Sequence, residues 1–425
     1  MSVYLTPEDK ARVEIDGALN RAGWNVQNYK DANLGASLGV VLRFVPLKNR
    51  KEADYVLFLN RKPVGVIEAK AEGTTLSGVA EQSETYLGKL ADSGWSSEDD
   101  LRFHYESTGT ETFFRDRKDP DSRSRRVFSF HRPETLQEWL CESDTLRGRL
   151  RSLPVLVETD LWNCQKIAIK NLEKSFSEAR PKALIQMSMG SGKTYTAITF
   201  IYRLIKFGGA RRVLFLVDRR TLGIKTKREF QSFATPDDGR KFTEIYNVQH
   251  LTSNVIDPVC RVTIATIQRV YAMLKGEEID PELEDQSAFD GLPLPASPKE
   301  VVYNGNIPIE AYDFIVVDEC HRSIYNLWRQ VLEYFDSFLV GLTATPTKYT
   351  IGYFDQNLVM EYPHDRAVAD GVNVGYDTYI INTRITSQGA TVDAGEYVDK
   401  RHRVTRSVRW EQLDDDLTYQ PTQLD

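Results

Sequence analysis

Cysteine is scarce: Cys141, Cys164, Cys260 and Cys320 are scattered through 425 residues with no CxxC pair. That spacing excludes a disulfide frame and a cysteine-held zinc, and it reads as reduced thiols in a cytoplasmic protein. Long apolar runs are missing too. None approaches the about eighteen residues of a membrane span, and Thr6-Pro7-Glu8-Asp9-Lys10 near the start is no signal-peptide core. Positive charge is in deficit, with a net charge of -7. This excludes a uniformly basic nucleic-acid coat but not a local basic groove. No repeat of fixed period is found. What remains, 41% hydrophobic and 27% charged, is a soluble globular composition long enough for about two or three domains.

Thr6 before Pro7 and Glu8 starts a helix, with a capping hydroxyl, proline at N1 and an acid in the first turn. Val13, Ile15, Ala18, Leu19 and Ala22 give it an apolar face, and Gly23 stops it. Two strands, 55–59 and 64–68, follow around Asn60-Arg61-Lys62-Pro63, and a helix is expected over 77–91. Residues 111–132 are basic, with Arg115, Arg117, Lys118, Arg123, Arg125, Arg126 and Arg132. They read as a solvated loop or as a nucleic-acid contact. A domain boundary is placed near 150, after a polar helix around 136–150. From 163 onward apolar runs at 183–187, 213–217, 262–266, 314–317 and 338–342 alternate with helical stretches, the pattern of βαβ units on a parallel sheet. Residues 276–306, with Glu277, Glu278, Asp280, Glu282, Glu284 and Asp285, read as a flexible acidic insertion.

The chemistry concentrates in two strings. Gly190-Ser191-Gly192-Lys193-Thr194 follows an apolar strand and opens a helix. Its glycines let backbone N–H groups converge on phosphates, Lys193 reaches the β- and γ-phosphates, and the Thr194 hydroxyl binds Mg²⁺. Phe314-Ile315-Val316-Val317 then ends in Asp318-Glu319. Asp318 would hold Mg²⁺ through water, and Glu319 would activate the attacking water. The fuel is therefore ATP with Mg²⁺.

Asp318-Glu319-Cys320-His321 resembles the DECH box of superfamily 2 helicases and translocases. Thr343-Ala344-Thr345-Pro346 resembles that superfamily's TATP motif, which couples the ATP site to DNA. Asp218-Arg219-Arg220 and Ala265-Thr266-Ile267-Gln268 are similar to its DNA-contacting motifs, and Gln165 stands where the family's adenine-reading glutamine stands. The resemblance thus implies nucleotide contacts from Gln165, His321, Thr343 and Thr345.

A second constellation lies upstream. Asp54, Glu68 and Lys70 come from two adjacent strands, and the pleat sends Glu68 and Lys70 to one face. Asp54 and Glu68 could bind Mg²⁺ while Lys70 assists the attacking water; the ordinary alternative is a solvated hairpin edge. Gln82 and Tyr86 share a helix face, and Glu14 lies on the first helix. This order resembles the PD-(D/E)xK nuclease fold, with Gln82 and Tyr86 as its RecB-type accessory pair and Glu14 as a further metal ligand. Ala53 replaces the family's proline.

A nuclease ahead of a DECH-box motor resembles the R (restriction) subunit of type I restriction-modification enzymes, as do Asn357–Tyr362 and Ala367–Gly371. The expected fold is α/β: a nuclease-like domain over 1–150, a first RecA-like domain over 151–355, and a linker with the start of a truncated second motor domain over 356–425, its first strand at 376–382. No Gln-x-x-Gly-Arg-x-x-Arg string follows Pro346; the arginine that closes the family's ATP site is absent, so weak ATP hydrolysis by this chain alone is expected. The resemblance implies double-stranded DNA and methyltransferase and specificity subunits as partners. Two readings stay open beside it: a superfamily 2 helicase or repair translocase with an inert nuclease-like domain, and a non-enzymatic nucleotide-dependent assembly subunit.

Overall fold

The computed structural model describes residues 6–46, 52–76, 101–158, 160–280, 284–285, 301–323, 328–377, 379, 389–401 and 407–420. It divides into two compact units, Met1–Asn373 and Val374–Asp425. The first unit contains two lobes, each built on its own sheet.

The first lobe opens with helix α1 (Pro7–Arg21). Asp9 N–H donates to Thr6 Oγ1 and Thr6 N–H to the Asp9 carboxylate, both at 3.2 Å, a reciprocal cap at the predicted start. Ile15 and Leu19 face inward. Seven described strands follow: β1 (Asn25–Asn28), β2 (Gly39–Pro46), β3 (Glu52–Leu59), β4 (Lys62–Ala69), β5 (Phe103–Ser107), β6 (Thr112–Asp116) and β7 (Arg125–Val127), in spatial order β1 to β7. Only β1–β2 and β4–β5 are parallel pairs. Gly65 of β4 lies against β5 so closely that a Cβ would collide with the Phe103 carbonyl oxygen. The helix expected over 77–91 lies outside the described residues.

His104 of β5 is buried, and burial, helped by Arg117, lowers its pKa to about 4. An unfolded chain takes up that proton near pH 6.5 and the folded chain refuses it down to about pH 4. This contribution to stability is therefore complete above pH 6.5 and is lost as pH falls toward 4, on the order of 3 kcal/mol. Thermal midpoints measured across pH 4–7 should fall steeply on the acid side, and His104→Phe should flatten that limb. An equal slope in both proteins would refute it.

Helices α2 (Pro133–Cys141) and α3 (Leu146–Leu150) lead to the second lobe, dividing what the sequence suggests is one polar helix. There α4 (Asn163–Ser177), β8 (Lys182–Met187), α5 (Lys193–Lys206), β9 (Val213–Val217), α6 (Arg220–Ser232), α7 (Phe242–Ile245), β10 (Val248–His250), β11 (Val262–Thr266), α8 (Ile267–Lys275), β12 (Phe314–Val317), α9 (Cys320–Ser323), α10 (Arg329–Glu333), β13 (Phe338–Thr343), α11 (Lys348–Tyr353), β14 (Leu358–Tyr362) and α12 (His364–Ala369) form a sheet flanked by helices. The strand order is β10-β11-β9-β12-β13-β8-β14, and every described pairing is parallel. β9, β11 and β12 are buried throughout, as strands covered on both faces must be. β14 adds to the edge of β8, so the segment beginning at 356 supplies part of this sheet instead of standing apart from it. The Val374–Asp425 unit carries two antiparallel ribbons, β15 (Ala390–Val392) with β18 (Leu417–Tyr419) and β16 (Tyr397–Arg401) with β17 (Val408–Gln412). Most of the strand expected at 376–382 lies outside the described residues. No described helix is long and apolar enough to cross a membrane.

The basic stretch 111–132 is not a free loop, although Arg117, Lys118, Arg123 and Arg126 stay exposed on it. It forms β6 and β7 and joins the lobes. Arg125 makes two hydrogen bonds to Asp336, at 2.7 and 2.8 Å, and His131 Nε2 meets the same carboxylate at 2.9 Å. His131 Nδ1 pairs with Tyr105 Oη at 2.7 Å. Arg132 N–H and the Thr135 hydroxyl both donate to Glu310, at 3.0 and 2.8 Å. With Arg125 as its first favourable partner, Asp336 stays ionised well below the usual carboxylate range despite its burial.

The acidic insertion is also partly ordered. Glu284 is fully buried, 2.5 Å from Arg269 Nη2 and 2.9 Å from Thr266 Oγ1, and Asp285 accepts from Thr221 N–H at 3.1 Å. A flexible reading fails at these two acids because their partners sit on the body of the lobe.

Candidate functional site

The strand-to-helix turn between β8 and α5 carries the phosphate loop. Gly190 and Gly192 hold φ of +80° and +78°, and Gly192 caps α5 in the left-handed region. A Cβ at Gly192 would collide with Gln165 Nε2. Gln165 is buried; its Nε2 donates to the Ser191 and Gly192 carbonyls at 3.4 Å, and its Oε1 accepts from Trp162 N–H at 2.9 Å. Ser191 Oγ donates to Ser188 O at 2.6 Å. The result is a cradle shaped for anionic oxygens at the N-terminus of a 14-residue helix.

Lys193 Nζ lies 3.4 Å from Met187 O and 3.5 Å from Glu319 Oε1, so the loop and the acid pair meet at one place. Thr194 is half-buried on the first turn of α5. Asp318 and Glu319 follow β12 at the carboxyl edge of the sheet, where ligands bind open parallel sheets. Burial, then the Glu319 charge, raises the Asp318 pKa to about 6. Glu319 adopts φ +49°, a strained backbone for a non-glycine residue at a site of proposed chemistry. His321 Nδ1 pairs with Thr343 Oγ1 at 2.9 Å and lies 3.5 Å from Glu319; Thr345 N–H donates to Thr343 Oγ1 at 3.1 Å. Thus Gln165, Gly190–Thr194, Asp318, Glu319, His321, Thr343 and Thr345 gather around one edge of one sheet.

The sequence gives no signal for Asn373, which clasps the same loop. Its Nδ2 donates to Met189 O at 2.8 Å and to Ser188 Oγ at 3.2 Å, and a Cβ on Gly190 would lie 2.9 Å from Asn373 Oδ1.

The carboxylate hairpin lies in the first lobe. Asp54 accepts from Arg12 Nη2 at 2.9 Å and from Ala69 N–H at 3.0 Å. That second bond ties the β3 acid to the strand bearing Glu68. Glu68 is 6% exposed; its Oε1 meets the Lys70 ammonium and its Oε2 takes no hydrogen bond. Buried, under-satisfied acceptors of this kind suit a hard divalent cation. Glu106 of β5 lies directly beside Glu68 in the parallel register. Burial, then the Glu68 charge, raises its pKa to about 7. Gln82 and Tyr86 lie outside the described residues. Glu14 is exposed on α1, against the loop at Gly109. Among the described residues no three His, Cys, Asp or Glu side chains already form a metal cage, so neither Glu14 nor Glu106 is assembled with Asp54 and Glu68 as a three-acid set.

Two family models match the chain: "Type III restriction enzyme, res subunit" over residues 158–348, and "Type I restriction enzyme EcoKI endonuclease subunit second domain" over residues 43–109. The chain is 27% identical to the type I restriction enzyme EcoKI endonuclease subunit of Escherichia coli strain K12, over 92% of this chain and 37% of that one. It is also 27% identical to the EcoAI endonuclease subunit of Escherichia coli, over 93% of this chain and 47% of that one. It thus spans less than half the length of either relative. A solved fragment assigned to an HsdR subunit of a type I restriction enzyme from Vibrio vulnificus YJ016 is 21% identical, covering 87% of this chain and 62% of that one with a TM-score of 0.35. With a nuclease-like lobe ahead of a RecA-like lobe and matching relatives along both, the chain is similar to the HsdR-type endonuclease subunits of type I restriction enzymes.

Proposed function

We propose that this chain is the cutting and pulling part of a type I restriction enzyme, coupling ATP-dependent translocation on duplex DNA to Mg²⁺-dependent phosphodiester cleavage. The observation that carries the reading is the presence, in one compact unit, of a phosphate loop joined to an acid pair and of a carboxylate–lysine hairpin. The nuclease lobe covers about 1–150 in this reading, and the motor lobe runs from there through Asn373 by way of β14.

In the motor lobe Gly190–Lys193 cradle the phosphates, Thr194 and Asp318 hold the magnesium, and Glu319 orients the attacking water. Gln165 links the nucleotide base to the loop carbonyls it already touches. Thr343 and Thr345 join His321 in relaying the state of the site along β13. In the nuclease lobe Asp54 and Glu68 hold Mg²⁺, and Lys70, beside Glu68, assists the attacking water; Gln82 and Tyr86 orient the scissile strand. Bound magnesium supplies a polarised phosphodiester and a more acidic water. The chain works in the cytoplasm with methyltransferase and specificity subunits that read the DNA sequence.

The test uses the complete assembly on a DNA carrying its recognition site. Asp54→Ala, Glu68→Ala and Lys70→Ala should each cut cleavage by roughly a thousandfold, the equivalent of about 4 kcal/mol of transition-state stabilisation, while DNA-stimulated ATP hydrolysis continues. Cleavage at the wild-type rate would favour a translocase with an inert nuclease-like lobe.

A further inference from the structure

Three neighbouring strands of the first sheet each carry an acid at the same level. Glu68 of β4 is paired with Glu106 of β5 in the parallel register. The antiparallel pairing of Tyr55 with Ile67 places Asp54 of β3 one step further on, level with Glu68. Side chains level on adjacent strands share a face of the sheet, with Cβ atoms about 4.5–5.5 Å apart. The proposed nuclease uses Asp54 and Glu68 and leaves Glu106 without a task.

Glu106 is costly where it stands. It is 3% exposed, its Oε2 is buried and takes no hydrogen bond, and its closest lateral neighbour is another carboxylate. Glu68 Oε2 lacks a partner as well, while Oε1 meets the Lys70 ammonium. Structural acids in interiors have their oxygens satisfied; the Glu284 carboxylate, held by Arg269 and Thr266, shows how this chain does it. Around Glu68 and Glu106 the Lys70 ammonium meets Glu68 Oε1 and the Arg115 guanidinium lies nearby, which leaves Glu68 Oε2 and Glu106 Oε2 unpaired. What satisfies the remaining oxygens together is a hard cation that takes several oxygen ligands.

We infer that Glu106 is a third carboxylate ligand of the divalent cation held between β3 and β5, with Glu68 and Asp54. The inference rests on the nuclease reading and extends it by one residue. Asp54 is engaged by Arg12 and by Ala69 N–H. Glu68 and Glu106 therefore form the first seat, and Asp54 joins by exchanging Arg12 for the metal.

The experiment titrates Mn²⁺ into the nucleotide-free 425-residue chain and follows free Mn²⁺ by electron paramagnetic resonance. An Asp318→Asn background removes the motor lobe's acid from the count. Glu106→Gln should weaken Mn²⁺ binding at least about tenfold, as loss of a ligand should exceed the effect of losing an outer-shell partner. Asp54→Asn should weaken it comparably. Without metal, Glu106→Gln should melt no lower than the parent, because the amide removes a buried like charge. Unchanged Mn²⁺ affinity in Glu106→Gln beside a loss in Asp54→Asn overturns the Glu106 assignment alone. Unchanged affinity in both overturns the nuclease site beneath it. A lower melting point in Glu106→Gln makes the residue structural and also overturns the assignment.

Discussion

Asp336→Ala should destabilise the first unit by about 3–5 kcal/mol, a large effect for one small side chain. Asp336 receives two hydrogen bonds from Arg125 and one contact from His131, whose ring is fully buried and tied on its other side to Tyr105. Removing the carboxylate leaves a largely buried guanidinium with only its 3.3 Å contact to Asp119 and a fully buried imidazole without its acceptor. Breaking such a network costs far more than the network contributes relative to an apolar core, because the charge left behind has lost its partner and its water. Asp336→Asn keeps part of the hydrogen bonding and should cost less. Urea unfolding of the three proteins checks the order, and a loss below about 1 kcal/mol for Asp336→Ala would mean that water reaches the network. Asp336 lies at the entry to β13, whose far end carries Thr343.

Lys193→Ala should weaken ATP binding by at least about thirtyfold, equivalent to the loss of a charge-assisted hydrogen bond of about 2–3 kcal/mol. The ammonium is nearly buried and already points toward Met187 O and Glu319, so its position owes little to any ligand. A fluorescent ATP analogue titrated into the wild type, Lys193→Ala and the control Lys170→Ala measures the difference. Equal affinities for wild type and Lys193→Ala would remove the phosphate loop from the proposal.

Local chemistry was readable in the sequence wherever neighbouring residues decided the outcome. Thr6, Pro7 and Asp9 define the start of α1 within a single turn, and the apolar runs of β8, β9, β11, β12 and β13 stand out because both their faces are covered. The readings that failed share one cause. A cluster of arginines looks solvated until an acid from far along the chain, Asp336, is seen beside Arg125. An acidic insertion looks mobile until Arg269 is found enclosing Glu284. The edge strand β14, half-exposed along much of its length, lacks the apolar signature of its neighbours, and only its pairing with β8 makes it part of the sheet. Within the nuclease lobe the spacing of Asp54, Glu68 and Lys70 pointed to a hairpin, but not to Arg12 on Asp54 or to Glu106 at the side of Glu68, since both depend on strand and helix packing.

Asn373 is the last residue of the first unit, and its amide grips the phosphate loop at Ser188 and Met189. The chain therefore leaves this unit directly from the glycine-rich loop. Any rearrangement of Gly190 that displaces the amide must break two hydrogen bonds within this unit, so Asn373 acts as a latch on the loop.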